Sequence, residues 1–224
     1  MTSAEIEIIG KAMVFVQEEL EKAEAGHDWF HIERVLLNSR KIAAGKVVDH
    51  LVVELGALLH DIGDSKFYHG DEEVGKRKIR AFLKTIPLSE ERKKHLTNIV
   101  NHISFRNSFD CSSFSSPELE ILQDADRLDA IGAIGIARAF SYGGYKGNPF
   151  YNPKVLPNKD LDKETYKKAD TPTINHFYEK LLKLKSMMNT KTGKELAQKR
   201  HDFMILFLHQ FYSEAGIDPA IYGN

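Results

Sequence analysis

The sequence predicts an all-α protein. Apolar residues recur at spacings of three and four along most of the chain. Helix-start signals stand directly before those runs, at Thr2, Asp49, Asp71, Ser89 and Ser116-Pro117. No segment alternates apolar and polar residues with period two. With 224 residues, 42% of them hydrophobic, the chain can bury one sizeable core. The expectation is a single domain over 1–224, a compact helical bundle with a C-terminal helical extension.

The elements follow in order. Thr2-Ser3-Ala4-Glu5 is a capping-box sequence, and Ile6, Ile9, Met13, Val16 and Leu20 form one face of the helix behind it, before Gly26 breaks it. Asp28 caps a second helix, Trp29 to Ala44, which Gly45 ends; His31 shares a face with Val35. The third, capped by Asp49, carries Leu51, Leu55, Leu58, Leu59 and Ile62, with His60-Asp61 at its end and Gly63 as its stop. A loop holding Asp64, Lys66, Phe67 and Tyr68 leads to a fourth helix after Asp71, which Pro87 closes. Ser89 caps a fifth, with His102 and Arg106 near its end.

A serine-rich loop, Asp110 to Ser116, precedes the helix start at Ser116-Pro117, where a cap and an N1 proline stand together. The helical segment that follows runs from Leu122 to Gly135. It holds three aspartates, Asp124, Asp126 and Asp129, among apolar neighbours, and small residues (Ala130, Gly132, Ala133, Gly135) suited to close packing. The pattern is lost between Gly143 and Asp170, a stretch punctuated by glycines and prolines. A loop that long inside a compact domain is often functional, and it is the candidate lid, 143–170. One helix then runs from Thr171-Pro172 to about Met188. Another runs from about Thr192 to Ala215 and stops at Gly216.

Composition narrows the function. A net charge of −1 gives no global attraction to nucleic acid or to a membrane surface. The single cysteine, Cys111, forms no intramolecular disulfide, no apolar run reaches the roughly 18 residues that span a bilayer, and no basic n-region precedes the first apolar residues. A cytoplasmic protein is expected.

The chemistry concentrates on four potential ligands from three apolar helices: His31, the adjacent pair His60 and Asp61, and Asp126. Burying ionisable groups is costly unless something compensates them, and a shared divalent cation would do so. Mixed nitrogen and oxygen donors suit Mn²⁺, Fe²⁺, Ni²⁺, Co²⁺ or Mg²⁺ better than a structural zinc, which prefers thiolates. Two choices stay open on residues alone: His27 competes with His31, and Asp124 and Asp129 compete with Asp126.

A helical His, then His-Asp, then a distant Asp resembles the HD-domain phosphohydrolase superfamily. The segments HDWFHIERV, ALLHDIGDSKF, QDADRLDAIGAIGIAR and INHFYEKLLKLKSMMNTKTG are similar to a branch of small stand-alone bacterial HD proteins. Together they reach from Gly26 to Gly193. The resemblance implies an all-α HD-domain bundle with one divalent metal, Mn²⁺ by preference, held by His31, His60, Asp61 and Asp126. The Ala-Asp-Arg-Leu core favours Asp126 as the last ligand. The implied activity is hydrolysis of nucleoside triphosphates to monophosphate and pyrophosphate. A nucleoside monophosphatase, a cyclic-nucleotide phosphodiesterase, or a sensor that binds metal and nucleotide without turnover are the alternatives.

Around the metal, Asp64 is a candidate to take a proton from the attacking water, and Lys66 to hold a phosphate; Asp61 joins them as a catalytic residue. His102 is a second-site ligand or a phosphate contact. His176, Lys180 and Lys183 recur at i, i+4 and i+7. That basic stripe would suit a polyphosphate if its helix borders the site. A small nucleotide is the expected partner.

Overall fold

The computed structural model describes residues 1–21, 29–63, 71–103, 114–158 and 171–222. Those residues are helical or irregular, and no strand occurs among them. No helix among them is long and apolar enough to cross a membrane. The chain forms two compact units, Met1–Asp126 and Arg127–Asn224.

The first unit is built around α3 (His50–Leu59), in which every residue from Leu51 to Leu59 is buried. Asp49 caps it through a bond from the Val52 N–H at 3.2 Å. A 3-10 turn, Asp61–Gly63, follows directly. Against α3 pack α1 (Ser3–Leu20), α2 (Trp29–Ala43) and α5 (Glu90–His102), while α4 (Glu72–Thr85) packs on the 3-10 turn. At Gly56 a Cβ would stand 2.5 Å from the Leu122 side chain, so the glycine admits α6 (Pro117–Asp129) close to α3.

The caps form as expected. Thr2 and Glu5 bond reciprocally at 3.2 and 2.9 Å, Asp71 accepts from Glu73 at 2.9 Å, Ser89 from Arg92 at 3.3 Å and Ser116 from Leu119 at 3.1 Å. One detail of α1 differs. Its buried face is Ile8, Ile9, Ala12, Val16 and Leu20, while Ile6 is 58% exposed, because at 3.6 residues per turn Ile6 lies at the outer edge of that face. Asp28, the expected cap of α2, lies outside the described residues.

The second unit departs further from expectation. The segment Leu122 to Gly135 is not one helix. α6 ends at Asp129, and α7 (Gly132–Lys146) starts after a break at Ala130 and Ile131. Gly132 sits at φ +78, a conformation that side-chain-bearing residues rarely adopt. A Cβ on Gly135 would stand 2.2 Å from the Ala130 carbonyl oxygen. The small residues thus serve a sharp corner. Arginines hold this corner: Arg138 Nη1 donates to buried Asp129 at 2.8 Å, and Arg200 Nη1 donates to the Leu128 carbonyl.

Helix also persists where a loop is expected. Gly143–Lys146 belong to α7, which ends at Gly147 with φ +74. Glycine lowers helix propensity, but Gly143 is held by close packing: a Cβ there would meet Thr173 Oγ1 at 2.1 Å. Of the candidate lid, residues 147–158 are irregular and tied down. Thr173 and Ile174 N–H donate to the carbonyls of Pro149 and Phe150 at 3.0 Å each, and Asn175 Nδ2 donates to Val155 at 2.9 Å. Residues 159–170 lie outside the description.

The single helix expected from Thr171-Pro172 to Met188 is two pieces. α8 (Thr173–Glu179) stops at Lys180, whose φ −138 and ψ −59 are not helical, and a 3-10 stretch spans Leu181–Met187. α9 (Lys191–Ala215) is capped by Thr190 and ends at Gly216 with φ +64. Phe140, Phe177, Phe207 and Phe211 pack ring against ring between 5.9 and 6.2 Å, and Tyr178 and Tyr212 share a hydroxyl hydrogen bond of 2.8 Å.

Candidate metal centre

Four elements of the first unit bring the four expected ligands together around the Nε2 atoms of two histidines. α2 contributes His31 from its inward face, where Val35 and Ile42 are fully buried. α3 ends at His60, and the turn that follows begins with Asp61. α6 contributes Asp126 near its C-terminus. His31 and His60 are 2% and 6% exposed.

The distances define a tight cluster. His31 Nε2 lies 3.3 Å from His60 Nε2, 3.3 Å from Asp61 Oδ2 and 3.6 Å from Asp126 Oδ1. His60 Nε2 lies 3.4 Å from Asp61 Oδ1 and 3.9 Å from Asp126 Oδ1. Ligand atoms of His31, His60 and Asp126 all fall within 4.8 Å of one another. Those separations suit a shared cation, since neighbouring ligands on bonds of about 2.1 Å stand roughly 3–3.5 Å apart.

The tautomer of His60 supports the same fit. Its Nδ1 lies 2.8 Å from the Ala57 carbonyl oxygen, which can only accept, so the proton sits on Nδ1. In the neutral ring Nε2 then presents a lone pair toward the cluster. That lone pair faces the carboxylates and the other imidazole, which makes a concentration of acceptors that a cation would satisfy. The donor set, two imidazole nitrogens and carboxylate oxygens without thiolate, fits a hard or borderline divalent ion.

Exposure is graded around the cluster. The side chains of His31 and His60 are 3% exposed, Asp61 13% and Asp126 37%. The cluster is closed on the histidine side and open at Asp126.

The remaining expected residues fall elsewhere. Asp124 is fully buried, and Asp129 is buried and paired with Arg138. His27, Asp64 and Lys66 lie outside the described residues. His102, at the end of α5, donates from Nδ1 to the Asn98 carbonyl at 2.7 Å and tilts against Phe114 at 5.2 Å. His176, Lys180 and Lys183 are in the second unit. They do not form one helical stripe, because the backbone breaks at Lys180. Burial, with the Lys180 charge beside it, pushes the His176 pKa down to about 4, so its ring is neutral at pH 7.

Sequence reading passed over Asn38, which is 4% exposed and donates from Nδ2 to the Ala125 carbonyl at 3.4 Å. It also passed over Arg40, whose guanidinium grips buried Glu54 at 3.0 and 2.6 Å. A polar residue on an apolar face was the available signal: Asn38 falls in step with His31, Val35 and Ile42.

Comparison with known proteins identifies the family. A family model described as the HD domain matches residues 29–131. A Bacillus subtilis protein, YpgQ, is 35% identical over 206 residues, a match that covers 91% of this chain and 92% of that one. The crystal structure of YpgQ in complex with ADP superposes with a TM-score of 0.72 at 32% identity, covering 94% of this chain and 96% of that one. A Bacillus thuringiensis protein described as an HD-superfamily hydrolase is 39% identical with a TM-score of 0.76, covering 96% of this chain and all of that one.

Proposed function

Because the chain belongs to the HD-domain family, we propose that it is a divalent-metal-dependent phosphohydrolase acting on nucleotides, and that it converts nucleoside triphosphates to monophosphate and pyrophosphate. The observation that carries the reading is the convergence of His31, His60, Asp61 and Asp126, in which the two histidine Nε2 atoms lie 3.3 Å apart and 3.3–3.9 Å from carboxylate oxygens of Asp61 and Asp126, in a largely buried cluster. These four residues would hold the ion. When bound, a divalent ion supplies Lewis-acid polarisation of a phosphoryl oxygen and a water of lowered pKa.

The chain's own residues set the conditions for that chemistry. The Ala57 carbonyl keeps the proton of the neutral His60 ring on Nδ1, which leaves Nε2 as the ligand atom. The buried histidine side excludes water, and the exposed edge at Asp126 is where a phosphate can approach. Asp64 would accept a proton from the attacking water, and Lys66 would hold a phosphate. Lys180 and Lys183 are further candidate phosphate contacts. His176, neutral at pH 7, would offer a phosphate a hydrogen bond rather than a charge, and His102 is a candidate second-site ligand or phosphate contact. The ADP found with YpgQ supports a nucleotide as the ligand class.

The test is a release assay with Mn²⁺ over nucleotides of different phosphate number. Pyrophosphate from triphosphates is the expected result. Orthophosphate from monophosphates would shift the assignment to a monophosphatase, and silence with every divalent ion would leave a binding module.

A further inference from the structure

We propose that Asn38 is a positioning residue, which holds Asp126 in register with His31 and His60. The proposal rests on the metal-centre reading above and adds to it the device that aligns its three helices.

The inward face of α2 reads His31, Val35, Asn38 and Ile42, all buried. Val35 and Ile42 pack by apolar contact, which is not directional. On α6, Leu119, Leu122 and Ala125 are buried and apolar too, with Leu122 beside Gly56 of α3. Such a contact tolerates sliding and rotation. A slip of one residue along an α-helix moves a side chain by about 1.5 Å and turns it by roughly 100°, enough to take a carboxylate out of a ligand cluster. The Asn38 amide supplies the direction that apolar packing lacks. Its Nδ2 donates to the carbonyl of Ala125, the residue immediately before Asp126. A buried polar group set in an apolar seam is a known means of fixing register.

Two residues further along α2, a second polar link faces the other partner helix. Arg40 makes a two-pronged bond to Glu54 of α3, at 3.0 and 2.6 Å. α3 is the helix that ends in His60. The helix that carries His31 is thus tied by side-chain hydrogen bonds to both helices that carry the other ligands. Asn38 lies seven residues from His31, about 10 Å along the axis. It is therefore placed to align the ligands without touching the ion.

The test is a double-mutant cycle on Mn²⁺ affinity in the full chain, read from the electron paramagnetic resonance signal of unbound Mn²⁺. The four proteins are the parent, Asn38→Leu, Asp126→Ala and the double variant. Asn38→Leu keeps the site buried and apolar but removes the donor. It is expected to weaken Mn²⁺ binding about tenfold, the lower end for groups that orient metal ligands. In the Asp126→Ala background it should cost nothing more, because the ligand that it aligns is gone. An equal loss in both backgrounds, or no loss in the parent background, overturns the assignment. Thermal unfolding without metal separates a register effect from general damage. Should Asn38→Leu fail to fold, Asn38→Ser, whose short side chain bonds within its own helix, takes its place in the cycle. A parent that binds no Mn²⁺ overturns the metal-centre reading and this assignment together. A parent that binds with a flat cycle overturns this assignment alone.

Discussion

Replacing Asp61 with alanine separates the role of the cluster in binding from its role in stability. Asp61 faces both histidines, at 3.3 and 3.4 Å, with its side chain 13% exposed, and Asp126 crowds the same His31 nitrogen at 3.6 Å. Without a cation, two carboxylates and two imidazoles share a poorly hydrated space. Removing one carboxylate relieves like-charge repulsion and a desolvation cost; two like unit charges about 4 Å apart repel by about 1–4 kcal/mol at effective dielectrics between those of water and a protein surface. Taking the low end, metal-free Asp61→Ala should be about 1 kcal/mol more stable, which for a chain of this length raises Tm by roughly 2–4 °C. The metal term has the opposite sign. At a Mn²⁺ concentration a hundredfold above Kd, the parent gains about 2.7 kcal/mol, a Tm rise of roughly 5–10 °C. The variant should show no such rise. The assay is thermal unfolding of both proteins in EDTA and in a Mn²⁺ series. A Mn²⁺-dependent rise of equal size in the variant, or a metal-free variant several degrees less stable than the parent, would refute the reasoning.

Other outcomes follow from particular contacts. Gly135→Ala should destabilise the protein by more than about 2 kcal/mol, because the new Cβ meets the Ala130 carbonyl at 2.2 Å. Gly144→Ala in the same helix, with nothing within 4 Å, should be neutral or stabilise by up to about 1 kcal/mol; denaturant midpoints give both. His176 has a folded pKa near 4, below its ordinary 6.5, so the unfolded chain binds the extra proton and stability falls as pH drops from about 6.5 toward 4. His176→Phe should flatten that slope in acid titrations followed by circular dichroism. Glu179, raised by burial, opposes the slope just above the ordinary carboxylate range. Lys180→Ala and Lys183→Ala should raise KM for triphosphates more than for monophosphates if these lysines hold phosphates. Losing one charge-assisted bond is worth about 1.5–3 kcal/mol, and unchanged steady-state kinetics would remove both side chains from the substrate contacts.

Much of the first unit was legible in the sequence, because local signals and burial agree there. The starts of α1, α3, α4, α5 and α6 each carry a side-chain cap, and the apolar run of α3 leaves no alternative to a central helix. The candidate cluster of His31, His60, Asp61 and Asp126 was legible for a related reason. Histidine and aspartate on apolar helices are costly, and their number and order point to a shared compensation. The second unit was less legible because tertiary contacts override local preference. Glycines that read as a loop at Gly143 and Gly144 are helical, since Gly143 packs tightly on Thr173. Glycines that read as helix at Gly132 and Gly135 form a corner. The break at Lys180 has no proline or glycine to announce it, so periodicity ran straight through and joined His176 to Lys183.

The same contrast bears on what a sequence says about a site. A metal ligand announces itself by chemistry, because a buried imidazole or carboxylate needs a partner. A residue that aligns the ligands announces itself only by breaking the apolar pattern of a helix that already carries one. On α2 the turns spaced from His31 are Val35, Asn38 and Ile42, and the amide is the exception among three buried residues. Its burial would be unfavourable if its polar atoms met only hydrocarbon, so it must have a buried hydrogen-bond partner. One such partner is the backbone of α6, at the Ala125 carbonyl, one residue before Asp126. A polar interruption on the ligand-bearing face of a helix is therefore a place to search for the group that fixes a site's geometry, as distinct from the groups that bind.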